Sequence, residues 1–95
     1  MQWYSKNQLQ KLRNDIPIDL LISEILKQPS KISEGYFRFL CPNCGEFNSA
    51  VNPRTNLGRC FSCKKNFNPI DMVMSVKTYT FTQAVEYLIT VARLN

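Results

Sequence analysis

Histidine is absent from this chain of 95 residues, glycine occurs three times, and the acidic residues number seven. Without histidine there is no Ser-His-Asp set, no Cys-His nucleophile pair and no imidazole ligand. The scattered glycines form no phosphate-cradling loop. Asp15, Asp19, Glu24, Glu34, Glu46, Asp71 and Glu86 contain no Asp-x-Asp pair, so nothing here resembles the carboxylate cluster that holds Mg²⁺ for nucleotidyl transfer. The chain is therefore expected not to be an enzyme on its own. No apolar run approaches the length of a bilayer span, and Met1 to Lys6 lack the apolar stretch of a secretory signal. These absences point to a cytoplasmic protein with no membrane partner, in a reducing compartment where cysteines serve as ligands rather than disulfides.

What the chain does have is cysteine in one arrangement. Cys41-Pro42-Asn43-Cys44 and Cys60-Phe61-Ser62-Cys63 lie fifteen residues apart and use all four cysteines. A C-x2-C-x15-C-x2-C array has the spacing of a structural zinc site, each C-x-x-C knuckle presenting two thiolates. Cys41, Cys44, Cys60 and Cys63 would close a tetrahedral shell around one Zn²⁺ per chain and leave no position for catalytic water. Two disulfides, or the same cage loaded with iron, are the other chemistries these thiols allow. At this length an apolar core alone would be marginal, and a metal staple becomes part of folding.

Charge is concentrated on the same segment. Of the formal net charge of +5, +4 falls on residues 36–68, where Arg38, Arg54, Arg59, Lys64 and Lys65 face Glu46 alone. Tyr36, Phe37, Phe39, Phe47, Phe61 and Phe67 lie among these cations. Some of the rings must cover the metal knuckles. The mixture nevertheless suits single-stranded nucleic acid, whose phosphates attract cations and whose bases stack on flat rings. Arg38, Arg59, Phe61, Lys64 and Lys65 are the candidate contacts, the cations for phosphates and Phe61 for a base.

The pattern along the chain predicts an α+β protein of one domain: a helical lead-in over 1–35, a zinc ribbon over 36–68 and a helical pair over 69–95. Leu9, Leu12 and Ile16 predict a first helix from about Lys6 to Asn14. Asp15 is the expected cap of a second, whose stripe is Ile18, Leu21, Ile22, Ile25 and Leu26. Pro29 and Gly35 break this pattern. Tyr36 to Leu40, Ala50 to Asn52 and Leu57 to Cys60 predict strands, the last two around a turn at Pro53-Arg54-Thr55-Asn56. Asn68-Pro69 starts a third helix, with Ile70, Val73 and Met74 inward. Thr80-Phe81-Thr82-Gln83 fits a capping box for a fourth, carrying Phe81, Val85, Leu88, Ile89 and Ala92. The stripes, Met72 and Met74 included, read as core.

The order Arg38-Phe39-Leu40-Cys41-Pro42-x-Cys44, Val51-Asn52-Pro53, Cys60-Phe61-x-Cys63 and Asn68-Pro69-Ile70-Asp71-Met72-Val73-Met74, followed by Phe81-x-x-Ala84-Val85-x-x-Leu88, resembles the N-terminal zinc-binding domain of bacterial DnaG-type DNA primases. The resemblance covers nearly the whole chain. It implies a zinc ribbon that helps a primase engage single-stranded template, while a separate Toprim-type domain joins the nucleotides. Two departures stand out. The family's second ligand is usually histidine, and here it is Cys44. The stretch from Glu46 to Val51 is two residues shorter than the family's Lys-Thr-Pro-Ser-Phe region, which Phe47-Asn48-Ser49-Ala50 matches only in part, and the lysine is missing.

The resulting expectation is a DNA-binding zinc ribbon assisting template recognition in primer synthesis and DNA replication, in trans beside a separate catalytic chain. The start at Met1 and a helix running to Leu94 suggest a complete, free-standing small protein. Single-stranded DNA, a primase catalytic subunit, a helicase or another replication protein are the expected partners. The alternatives are a protein-interaction ribbon docking on a replication or mobile-element partner without touching DNA, and a rubredoxin-like iron carrier.

Overall fold

A capping side chain opens three of the four helices. Ser5 accepts the Gln8 amide at 3.0 Å ahead of α1 (Lys6–Asp15). Asn68 and Asp71 exchange side-chain and backbone bonds at the head of α3 (Pro69–Lys77), with Pro69 in the first turn. Thr80 and Gln83 do the same for α4 (Phe81–Leu94), at 2.9 and 3.2 Å. Each satisfies amides that the first turn otherwise leaves orphaned. Thr78, left-handed at φ 58, ends α3 and gives the break expected between the two C-terminal helices. These features belong to a computed structural model that describes residues 4–94; Met1, the expected start of a complete small protein, lies outside them.

The remaining helix, α2, departs from expectation. Asp15 does not cap it, because Asp15 is the last residue of α1 and Pro17 stands immediately before α2. The segment is α-helical over Ile18–Leu20 and π-helical over Leu21–Ile25, where the Leu26 amide reaches back five residues to the Leu21 carbonyl at 2.8 Å. Its first amide is taken up from afar. Asn56 Oδ1 accepts from the Ile18 amide at 2.9 Å, while Asn56 Nδ2 donates to the Arg13 and Ile16 carbonyls at 2.6 and 2.7 Å. One side chain in the ribbon's hairpin turn thus holds the α1–α2 corner, and it does so from a left-handed backbone at φ 57, a conformation asparagine tolerates better than most residues.

The sheet is a five-stranded antiparallel meander in the order β1 (Ser30–Ser33), β2 (Tyr36–Phe39), β3 (Ser49–Asn52), β4 (Leu57–Cys60), β5 (Asn66–Phe67). The three middle strands were expected. β1 lies within the lead-in, joined to β2 through Glu34 and Gly35, both left-handed, as a two-residue hairpin turn requires. β5 is a two-residue strand after the second knuckle.

Direct cross-strand partners share a face. Phe39, Ser49 and Cys60 form one buried row, and Val51, Gly58 and Phe67 the next. Phe39 and Phe67 meet edge to face at 6.5 Å. Gly58 is required by this packing, since a Cβ there would lie 2.8 Å from the Phe39 ring, with Met72 of α3 just beyond. The helices complete the core with Leu12 from α1 and Ile16 just after it, Ile18, Leu21, Ile22 and Leu26 from α2 and its exit, Ile70, Met72 and Val73 from α3, and Ala84, Val85 and Leu88 from α4. Phe81 and Ala92, expected on the inward stripe of α4, are exposed instead, Phe81 because it opens the first turn. Met72 is fully buried, as expected; Met74 packs at the margin, half-buried. No helix among the described residues is long and apolar enough to cross a membrane.

Asn56→Ala should destabilise the zinc-loaded protein by about 3 kcal/mol, because three part-buried groups lose their partner and alanine is strained at this φ. Asn56→Gly removes the strain and should recover about 1 kcal/mol of that. Denaturant unfolding at fixed free zinc measures both; a glycine variant as stable as the parent would mean that the side-chain bonds contribute nothing.

Candidate metal centre and the open face of the sheet

The two knuckles have the same backbone construction. In the first, between β2 and β3, the Cys41 carbonyl accepts the Gly45 amide and the Cys41 amide donates to the Glu46 carbonyl, both at 3.0 Å. In the second, between β4 and β5, Cys60 does the same with Lys64 and Lys65, at 2.9 and 3.0 Å. Gly45 and Lys64 occupy equivalent left-handed positions, φ 78 and 65. Lysine at such a position costs about 1 kcal/mol that glycine avoids.

These turns bring Cys41, Cys44, Cys60 and Cys63 together, their sulfurs all within 4.8 Å of one another. Cys41 and Cys63 Sγ are 3.8 Å apart, and Cys44 and Cys60 Sγ are 3.5 Å apart. Four sulfurs at about 2.3 Å from one zinc ion lie about 3.8 Å from each other, so the cage has the size the ion needs. The separations are nearly twice a disulfide bond, and the close pairs run between knuckles rather than within them. The four cysteines are positioned to bind one metal ion. Cys41 and Cys60 are buried, Cys63 is half-buried and Cys44 faces solvent.

Hydrogen bonds to sulfur fill out the site. The Asn43 and Cys44 amides donate to Cys41 Sγ at 3.4 Å, the Cys63 amide to Cys60 Sγ at 3.5 Å, and Asn43 Nδ2 to Cys63 Sγ at 3.6 Å. Burial opposes a charged Cys60, but the hydrogen bonds it accepts, that of the Cys63 amide first, outweigh it and lower the thiol to about 6. The Asn43 side chain and the Lys65 amide lower Cys63. Burial pushes Cys41 up. The Glu46 amide favours the Cys44 thiolate, but desolvation and the other three sulfurs prevail, and the thiol is pushed up to about 12.

This cysteine geometry, on a ribbon between helices, agrees with what the whole chain matches: residues 4–95 fit the CHC2 zinc finger family, the DnaG zinc ribbon. The chain belongs to that family. It is also 34% identical over 79 residues to the DNA primase of Streptomyces coelicolor, an overlap covering 81% of this chain and 12% of that primase. Within the CHC2 zinc finger family the departure is Cys44, which stands where the usual ligand is histidine. The family is zinc-binding, and four thiolates around one Zn²⁺ would give a net site charge of −2, where three with a histidine would give −1.

Beside this centre lies the face of the sheet that the helices leave open. Lys31, Arg38, Ala50, Arg59 and Asn66 are successive cross-strand partners and form one row over all five strands. Arg38 is placed by Glu34 at 3.7 Å and lies 5.8 Å from the Tyr36 ring; Arg59 Nη1 donates to Asn66 Oδ1 at 3.1 Å. Tyr36, Asn52, Leu57, Arg59, Phe61 and Asn66 line a groove of about 560 Å³ over this face. Phe61, 45% exposed, belongs to the groove rather than to a lid over the thiolates.

Of the candidate contacts, the structure brings Arg38, Arg59 and Phe61 together. Lys65 does not join them, because its ammonium lies 5.4 Å over the ring of Phe67, which points into the core from the other face. Lys64 is exposed at the knuckle turn. Lys31, Tyr36, Leu57 and Asn66 were missed as groove or row residues. The signal that could have found them is strand alternation counted outward from Arg38 and Arg59.

All four sulfurs must be thiolates to hold zinc, and Cys41 and Cys44 are the two whose ionisation the site resists, so loading at pH 8 should release protons. Affinity should therefore fall as pH drops and the thiolates are reprotonated. Calorimetric titration in buffers of different ionisation enthalpy measures the release; no release would refute the assignment. Cys44→Ser should lower zinc affinity at least tenfold and unfold the ribbon while retaining helical signal, measured by chelator competition and circular dichroism.

Proposed function

We propose that this chain is a non-catalytic primase-type zinc module, a single domain over residues 1–95 that presents single-stranded DNA template to a catalytic chain during primer synthesis. The observation that carries the reading is the open face of the sheet. Lys31, Arg38 and Arg59 lie in register across it, and Tyr36, Leu57 and Phe61 supply flat or apolar surface beside them. Cations spaced across the strands neutralise phosphates, and exposed rings stack on bases without selecting among them. Family membership and the primase relative support the same direction.

The seven carboxylates offer no metal-holding pair for nucleotide addition. In this proposal the module works in trans, in the cytoplasm, beside a primase catalytic subunit or in contact with a helicase or another replication protein.

Binding to a fluorescein-labelled oligonucleotide, followed by anisotropy against salt, tests the proposal. Arg38→Ala with Arg59→Ala should weaken binding and flatten the salt slope by about 0.7 for each phosphate that is no longer neutralised. Phe61→Ala should cost about 1 to 3 kcal/mol with zinc retained. Lys64→Glu with Lys65→Glu should have the smaller effect of a neighbouring charge. Unchanged affinity of the arginine double variant at about 100 mM salt, with zinc in place, would move the interface off this face and give the lead to docking on a protein partner.

A further inference from the structure

Among the described residues Ser49 is the buried polar side chain of the core, with no exposed surface, and its Oγ is satisfied by no hydrogen bond in the metal-free site. A buried, unpaired hydroxyl costs about 1 to 3 kcal/mol, so its position asks for an acceptor. The register supplies one. On one side Ser49 is opposite Phe39, which offers nothing polar, and on the other it is opposite Cys60. The Phe61 amide donates to the Asn48 carbonyl at 2.9 Å, and the Cys60 amide turns away to the Lys65 carbonyl at 3.0 Å. Asn48 and Phe61 are thus a hydrogen-bonded pair, and Ser49 and Cys60 the adjacent non-hydrogen-bonded pair, in which facing side chains come closest.

We propose that Ser49 is a positioning residue of the metal centre, its hydroxyl donating to the zinc-bound thiolate of Cys60. The site needs such a donor. A shell of four thiolates carries one more negative charge than the same shell with histidine, and Cys60 lies at 0% exposure where water cannot offset that charge. Cys63 has a side-chain donor in Asn43 Nδ2; Ser49 gives Cys60 its counterpart. Donors behind a metal ligand fix its orientation, and losing one typically lowers metal affinity by about 10- to 100-fold.

Ser49→Ala separates this role from that of an unpaired hydroxyl, because the two predict opposite signs. An unsatisfied hydroxyl replaced by a methyl group of nearly the same size leaves the protein as stable or more so. A donor to the thiolate, once removed, weakens the site. Two measurements on the full chain read this out: zinc affinity by chelator competition, and the sulfur-to-metal charge-transfer band after loading with cobalt(II). The expected result is a loss of zinc affinity of about tenfold together with a shift of the band to longer wavelength, since a thiolate without its donor gives up charge more readily. Unchanged or tighter zinc binding overturns the proposal. So does weaker binding with an unmoved band, which would mean that only packing was disturbed.

Discussion

Four cysteines converge where one ion would staple a ribbon that has little interior of its own. The strands bury Phe39, Ser49, Val51, Cys60 and Phe67, and Cys60 is itself a ligand while Phe39 lies two residues from another. Structural zinc in small domains contributes on the order of 10 to 16 kcal/mol, against a net stability of roughly 5 to 15 kcal/mol for a typical domain. The ion therefore outweighs any single packing contact. Lys64 shows how firmly the second knuckle is set, for its backbone is held where glycine would be cheaper.

The metal and the open face are linked by strand alternation. Arg59, Cys60 and Phe61 are consecutive: a row cation, a ligand and a groove ring. Turning Cys60 inward to the ion fixes Arg59 outward, and the knuckle that follows places Phe61 at the groove. The buried rings Phe39 and Phe67 lie on the face that α3 covers, so the aromatic residues of this segment divide by parity between core and surface.

Features written in local code were legible in the chain. Cysteine spacing, the Asn68-Pro69 and Thr80-x-x-Gln83 starts, and the inward stripes of α2 and α3 each need only neighbours within a few residues, while of the stripe expected on α4 only Val85 and Leu88 are fully buried. What escaped depends on distant partners. Ser30–Ser33 is polar and its Ile32 is 79% exposed, so no alternation marks β1; it exists because β2 lies alongside. Asn56 reads as an ordinary turn residue until the α1–α2 corner comes within its reach. Lys64 and Lys65 looked equivalent to Arg59, yet the register sends Lys65 to the opposite face because Asn66 occupies the open one. Charge and aromatic content thus located the segment, while the parity of each strand decided which residues share a surface.

The meander has a kinetic meaning as well. Every strand pairs with its neighbour in the chain, so each pairing closes a short loop at small entropic cost, and topology imposes no slow step. Hairpins β1–β2 and β3–β4 can form and dissolve rapidly on their own, bringing the knuckles near each other before any ion arrives. Metal capture then has a short search to complete, because the β3–β4 pairing already sets the two knuckles at the same end of the sheet.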